Sequence, residues 1–236
     1  MTAGRPAPAG PVWDRPEPPS RAALSPLSRE RIVAAAIALA DADGLGAVSL
    51  RKVGAALDAG PMRLYGYLST KDELLDLMAD AVHGEIELPL DAGWRETLRA
   101  LATGIRAAAL RHPWFTELAG GRPNIGPHAL GVMEAALAAL DRSGRFADID
   151  EMMSARGTVT AYVIGAVRSE IAEQQVERAS GVSEAEWRTA TGPYLKRMLA
   201  TGRYPTLARF VREGADRSAE EWFTAGLETV LDGLGQ

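Results

Sequence analysis

Between Ser28 and Leu75 the chain alternates short apolar repeats with hard stops, a rhythm that few folds satisfy. Ile32, Ala36, Leu39 and Ala40 recur at helical spacing, so one face of that segment must be buried. Asp43-Gly44-Leu45-Gly46 ends the run, and Ser49 caps a second, shorter helix that turns Val53 and Leu57 inward. Asp58-Ala59-Gly60 then reverses the chain. Pro61 suits the first turn of a third helix, Met62-Arg63-Leu64-Tyr65-Gly66-Tyr67, because its missing N–H would have had no partner there. Two short helices across a tight turn make a helix-turn-helix. Thr70-Lys71-Asp72-Glu73 predicts a capping box, with hydroxyl and carboxylate each satisfying a free N–H. It opens a fourth helix, carrying Leu74, Leu75, Leu77, Met78 and Val82, that connects this head to the rest of the chain.

Beyond Pro89, helical patterns run near 92–110, 127–142, 149–179, 184–200 and 219–233. Breaks at His112-Pro113, Gly120-Gly121-Arg122-Pro123 and Tyr204-Pro205 separate them. Ser183-Glu184-Ala185-Glu186 and Ser218-Ala219-Glu220-Glu221 are two further capping boxes. No strand-rich segment and no fixed-period repeat is present, so the expected class is all-α: a three-helix head over 27–72 and a helical bundle over 73–236. At 236 residues and 47% hydrophobic content the chain can bury a substantial core. Residues 1–26 hold seven of the fourteen prolines and few apolar side chains, and are expected to be a largely disordered extension. Its Arg5, Arg15 and Arg21 suit a basic arm on DNA, or plainly a solvated tail.

The composition excludes several classes of function. With no cysteine there is neither a disulfide framework nor a thiolate zinc site. No apolar run reaches the roughly 18 residues of a membrane span, and the Pro-rich start lacks a signal-peptide core, so a cytoplasmic protein is expected. His83, His112 and His128 are scattered, and there is no His-Glu-x-x-His, Gly-x-Ser-x-Gly or phosphate loop, so neither an enzyme nor a cofactor or metal site is expected. The net charge of −5 is unusual for a binder of DNA, whose phosphates attract Lys and Arg. From Ser28 to Lys71, however, six positive residues face four negative ones, so the acid sits mostly in the body.

The head resembles the tetracycline-repressor (TetR) family of bacterial regulators. Its pattern is matched in order by Ile32-x-x-x-Ala36-x-x-Leu39, Gly44-Leu45, Ser49-Leu50-Arg51, Leu64-Tyr65 before Leu68, and Lys71-x-x-Leu74-Leu75. The resemblance implies that Arg51, Pro61, Met62, Arg63, Tyr65, Gly66, Tyr67 and Lys71 meet double-stranded DNA, with Ser49, Lys52 and Thr70 beside them. Arg63 can offer its fork to guanine O6 and N7, and Met62 an apolar contact to a thymine methyl, while Tyr65, Tyr67, Thr70 and Lys71 can bond phosphates. Asp58 stands where the family usually has a turn glycine, though Asp tolerates left-handed backbone. Gly66 stands where a larger helical residue is common. Its propensity cost of about 1 kcal/mol makes sense if DNA approaches the backbone closely there, or if nothing constrains it.

The body resembles the C-terminal domain of the same branch through Trp94, Arg111-His112-Pro113-Trp114, Leu140-Asp141-x-x-Gly144, Tyr162-Val163-x-Gly165, Tyr204-Pro205 and Phe223-x-x-Gly226-Leu227. Pockets for small molecules are apolar with a few placed polar groups. Trp94, His112, Trp114, Phe115, Met133, Met153, Arg156, Thr160 and Tyr162 therefore form a candidate effector set, each with a plainer reading as bundle core. Leu118, Ala136 and Ala161 fall where tetracycline–magnesium members carry polar ligands, which argues against that ligand. Residues 157–173 and 219–233 are apolar and rich in small side chains. The resemblance makes them a homodimer seam, including Val163, Val167, Trp222, Phe223, Gly226, Leu227 and Val230. The expectation is a homodimeric, ligand-responsive transcription factor, a repressor acting at a palindromic operator. The rival reading is a helical small-molecule-binding protein without DNA binding.

Overall fold

The computed structural model describes residues 10–18, 27–119 and 122–234, and among them it contains eleven α-helices and no strand. The head is α1 (Arg29–Asp43), α2 (Leu50–Ala56) and α3 (Pro61–Leu64), and α4 (Lys71–His83) leaves it. The oxygens of Ser28, Ser49 and Thr70 accept from the N–H groups of Arg31, Lys52 and Glu73, so the three longer helices start where capping chemistry dictates. Ile32, Ala36, Val53, Leu64 and Leu68 are fully buried and make the head's core.

The turn between α2 and α3 is built on two backbone peculiarities. Asp58 has φ 49°, the left-handed value expected of it. Gly54 lies so close to the turn that a Cβ there would stand 2.6 Å from the Ala59 carbonyl oxygen. The third helix is shorter than the sequence predicts. After Leu64 the N–H groups of Gly66 and Tyr67 bond back three residues, to Arg63 and Leu64, and the chain leaves the helix as a turn.

The extension departs from expectation at residues 10–18. Val12–Asp14 forms a 3-10 turn with Val12 only 2% exposed, and Trp13 packs against the core. Arg15 donates to Ser69 Oγ at 2.9 Å and pairs with Glu73 at 2.5 Å. Pro18 lies over Gly66, where an added Cβ would stand 3.3 Å from it. Glu73 is thereby diverted from the predicted box: its carboxylate accepts from the Ser69 N–H at 2.6 Å. Residues 1–9 and 19–26, with Arg5 and Arg21, lie outside the described residues.

In the body, α5 (Trp94–Arg111) packs between α7 (Pro127–Arg142) and α8 (Ile149–Ser180), with the short α6 (Phe115–Leu118) bridging α4 and α8. After the hairpin α9 (Glu184–Ala200) and α10 (Pro205–Glu213), α11 (Ala219–Gly233) returns along α8. The capping boxes at Ser183 and Ser218 form as predicted. Neither α6 nor α10 was expected as a helix. Trp187, Tyr194 and Phe210 on the hairpin are exposed.

Helix α4 is tied to the body along its length. The buried Asp80 carboxylate accepts from the Ala129 N–H at 2.9 Å at the start of α7, and Gly126 lies against it with no room for a side chain. Asn124 donates to the Asp76 carbonyl at 2.8 Å. A second tie bypasses α4. Asp41 on α1 accepts from Trp114 Nε1 at 2.7 Å, and His112 Nδ1 lies 2.8 Å from the same oxygen.

Candidate nucleic-acid interface and ligand cavity

The surface formed by α2, α3 and the start of α4 presents Arg51, Lys52, Pro61, Met62, Arg63, Tyr65, Gly66, Thr70 and Lys71 to solvent, with Met62 78% exposed. An exposed methionine of that size has no packing role in the monomer. Arg51, Lys52, Arg63 and Lys71 make no ion pair among the described residues, so their charges are available to phosphates and base edges. Ser49 is half-buried and Thr70 exposed, and each uses its oxygen as a helix cap.

One expected contact is corrected. Tyr67 is 7% exposed, its hydroxyl donates to the Leu27 carbonyl at 2.7 Å, and its own carbonyl accepts from Arg29 Nε. It fastens the chain entering α1 to the exit of α3 and does not face DNA. Gly66 is exposed, and Pro18 of the extension lies over it, so that an added Cβ would stand 3.3 Å from the proline ring.

In the body, a cavity of about 380 Å³ opens between α4, α5, α6, α7 and α8 and the loop that follows α6. Of the nine effector candidates, Phe115, Met133, Arg156 and Thr160 line it. Other wall residues include Leu75, Asp76, Ala79 and His83 on α4, Leu101 and Ile105 on α5, and Asn124 in the loop, none of which was an effector candidate. The signal was available for α4, where Leu75, Ala79 and His83 repeat every fourth residue on one face.

His83 Nδ1 donates to the Ala79 carbonyl at 2.8 Å, and its ring meets Phe115 edge-on at 5.1 Å. Burial lowers its pKa from the ordinary 6.5 and keeps the ring neutral, leaving Nε2 as an acceptor. Burial also lowers the Arg156 pKa, and its Nε is shielded from solvent without a hydrogen-bond partner among the described residues. Asp76 is raised, first by burial and then by its neighbours Asp72 and Glu73.

The remaining effector candidates are elsewhere. Trp94 packs edge-on against Phe146 at 5.4 Å. His112 and Trp114 are buried in the tie to Asp41, with His112 Nε2 also 3.2 Å from Glu85. Met153 is 38% exposed on the outside of α8. Tyr162 points between α8 and α11 and donates to the Phe223 carbonyl at 2.7 Å. Leu118 lines the cavity, while Ala136 is buried and Ala161 exposed. No group of three or more metal-binding side chains occurs among the described residues.

A head with a free basic face and a body with a cavity against the connecting helix can now be set beside known proteins. The model of the tetracyclin repressor-like C-terminal domain matches residues 88–236. The transcriptional repressor DrrR1 of Streptomyces coeruleorubidus is 40% identical over 226 residues, 94% of this chain and 83% of that protein. The chain belongs to the tetracycline-repressor family. It is a helix-turn-helix transcriptional regulator.

A second relative, a helix-turn-helix-type transcriptional regulator of Saccharopolyspora erythraea, is 38% identical and covered over 91% of its length, for 95% of this chain. Among solved structures, ActR of Streptomyces coelicolor in complex with actinorhodin superposes with a TM-score of 0.76 at 29% identity, over 89% of this chain and 96% of that one.

The expected TetR-type seam needs correction in detail. Val163, Val167, Phe223 and Leu227 are buried within the subunit, where they pack α8 against α5 and α11. Gly226 is covered by the Tyr162 hydroxyl of the same subunit, and Val230 is partly buried against the core. Trp222, 48% exposed, is the one candidate left on the surface. The physical reason is helical phase: the apolar stripe of α8 serves the subunit's own core, and the small residues Ala161 and Gly165 lie on the opposite, exposed face.

Proposed function

We propose that this regulator is a homodimeric repressor that leaves a palindromic operator when a small molecule occupies the body cavity. The observation that carries this reading is the double duty of α4. Lys71 stands at its start beside the reading helix, while Leu75, Asp76, Ala79 and His83 wall the cavity. The helix spans roughly 18 Å between those ends, so a ligand that shifts its cavity end moves the head. Relatives named as repressors and the actinorhodin complex of ActR support the same reading.

The dimer is formed through the exposed face of α8 around Ala161, Gly165 and Ser169, together with Trp222 and Thr229 of α11. A two-fold protein matches a two-fold site. The work is binding rather than catalysis, and it takes place in the cytoplasm, where the DNA is. No helix among the described residues is long and apolar enough to cross a membrane. The rival reading, a protein without DNA binding, draws on Asp58, Gly66 and the modest charge of the head, and the turn accounts for Asp58.

Selection of bound sequences from random duplex DNA tests the reading. Inverted half-sites with centres about 34–36 Å apart, or a multiple of that, are expected. No enrichment over input DNA would leave the small-molecule-binding reading in its place.

A further inference from the structure

The arginines of α5 are matched to carboxylates across the body. Arg95 reaches Asp232, Arg99 grips Glu228 with both ends of its fork, Arg106 does the same to Glu170, and Arg111 meets Glu85. Arg156 on α8 breaks the pattern. It is half-buried, lines the cavity, and makes no side-chain hydrogen bond or ion pair among the described residues. A guanidinium taken partly out of water without a counter-charge destabilises the protein, and it stays charged at any physiological pH. The cavity lining holds two arginines, Arg156 and the exposed Arg122, against one carboxylate, Asp76. Most of the remaining wall is apolar, including Leu75, Ile105, Phe115, Val132 and Ile164.

We propose that the cavity selects apolar molecules that carry an acidic group, and that Arg156 is the residue that binds this group. This rests on the reading of the cavity as the effector site. A carboxylate, sulfonate or ionised phenol presented to the planar fork supplies the missing counter-charge, while the ligand's body replaces water along the apolar wall. Neutral analogues of the same shape gain the second contribution and forgo the first.

The test uses two dyes with one ring system, the anionic anilinonaphthalene sulfonate and the neutral N-phenylnaphthylamine, titrated by fluorescence into the full chain. Arg156→Met is expected to weaken the sulfonate by about tenfold or more, equal to about 1.4 kcal/mol, and to leave the neutral dye within about twofold. Arg156→Lys should restore part of the difference. Arg156→Met should unfold at the same temperature as the parent or higher, since it removes an unpaired charge. Equal losses for both dyes, or no loss for either, would overturn the assignment of Arg156. Ile164→Trp, which fills the cavity, separates the role of the cavity from that of Arg156. It should abolish binding of both dyes. If both dyes bind, are lost in Ile164→Trp, and yet respond alike to Arg156→Met, the effector cavity stands and the acidic ligand falls. If neither dye binds the parent, or both survive Ile164→Trp, the cavity itself is refuted, and the acidic ligand with it.

Discussion

The reading face and the cavity each centre on an unpaired arginine, in opposite settings. Arg63 is exposed on a one-turn helix, surrounded by groups adjacent to it in the chain. Arg156 is half-buried, and the cavity it lines is walled by five helices and a loop. The first site is a local structure displayed outward, whereas the second is a by-product of how a whole bundle packs. The difference sets how each fails: the first loses contacts one at a time, and the second fails when a helix moves.

The largest effect is expected at the proposed seam between two reading faces. Gly165→Glu places a carboxylate on the exposed face of α8, where a Cβ meets nothing within the subunit. It should yield folded monomers whose operator affinity drops by a factor on the order of a hundred, because one head forfeits half the contacts. Light scattering that shows an intact dimer would remove this face from the interface. Gly226→Glu is no substitute, since it would collide with Tyr162 in the same subunit.

Next comes the reading face itself. Arg63→Ala should cost about 1–3 kcal/mol at one operator position and relax the base preference there. An unchanged preference in selection from random DNA would show that Arg63 touches phosphate only, or nothing.

The tie between the two regions gives a smaller effect. Asp41→Ala leaves the buried indole N–H of Trp114 without its acceptor and should lower stability by about 1–2 kcal/mol, measurable by urea unfolding. Because Trp114 adjoins Phe115 in the cavity wall, the same change should also weaken the effect of cavity ligands on operator binding. Stability and coupling that both match the parent would show the tie to be ornamental.

The smallest effect concerns pH. Above the ordinary value of 6.5 His83 is neutral whether folded or unfolded and adds no pH dependence. Below it the unfolded chain takes up a proton that the buried ring resists, so stability falls with acidification until the lowered folded pKa is passed. The nearby Asp80 opposes that resistance and His128 reinforces it. His83→Gln should therefore flatten the decline of melting temperature below pH 6.5, and parallel curves for mutant and parent would contradict the assignment.

The same contrast explains what was legible in the sequence. Helix starts were readable because a cap is a contact over three residues, as Ser49, Ser183 and Ser218 demonstrate. The exposed groups of the reading face were readable because they are consecutive in the chain. Tyr67 misled because a tyrosine beside exposed residues looks like them until Leu27, forty residues away, is found to accept its hydroxyl. The ordered strap at 10–18 was hidden for a related reason: Val12 and Arg15 find their partners only in the folded head. In the body, aromatic content pointed to Trp94, Trp114 and Tyr162, but a large ring fills whichever gap is nearest, and those gaps were not the cavity. The signals that did mark it were four-residue repeats, Leu75, Ala79 and His83 on α4 and Arg156, Thr160 and Ile164 on α8.

The central claim is that cavity and operator oppose each other through α4. The most direct measurement is the affinity of anilinonaphthalene sulfonate for the free protein and for the protein saturated with its selected operator, alongside operator affinity with and without the dye. The account predicts that DNA weakens the dye, and the dye weakens DNA, by one common factor of about 5–150. Equal dye affinity for the free and the DNA-bound protein, with the dye still displaced by Ile164→Trp, would contradict it.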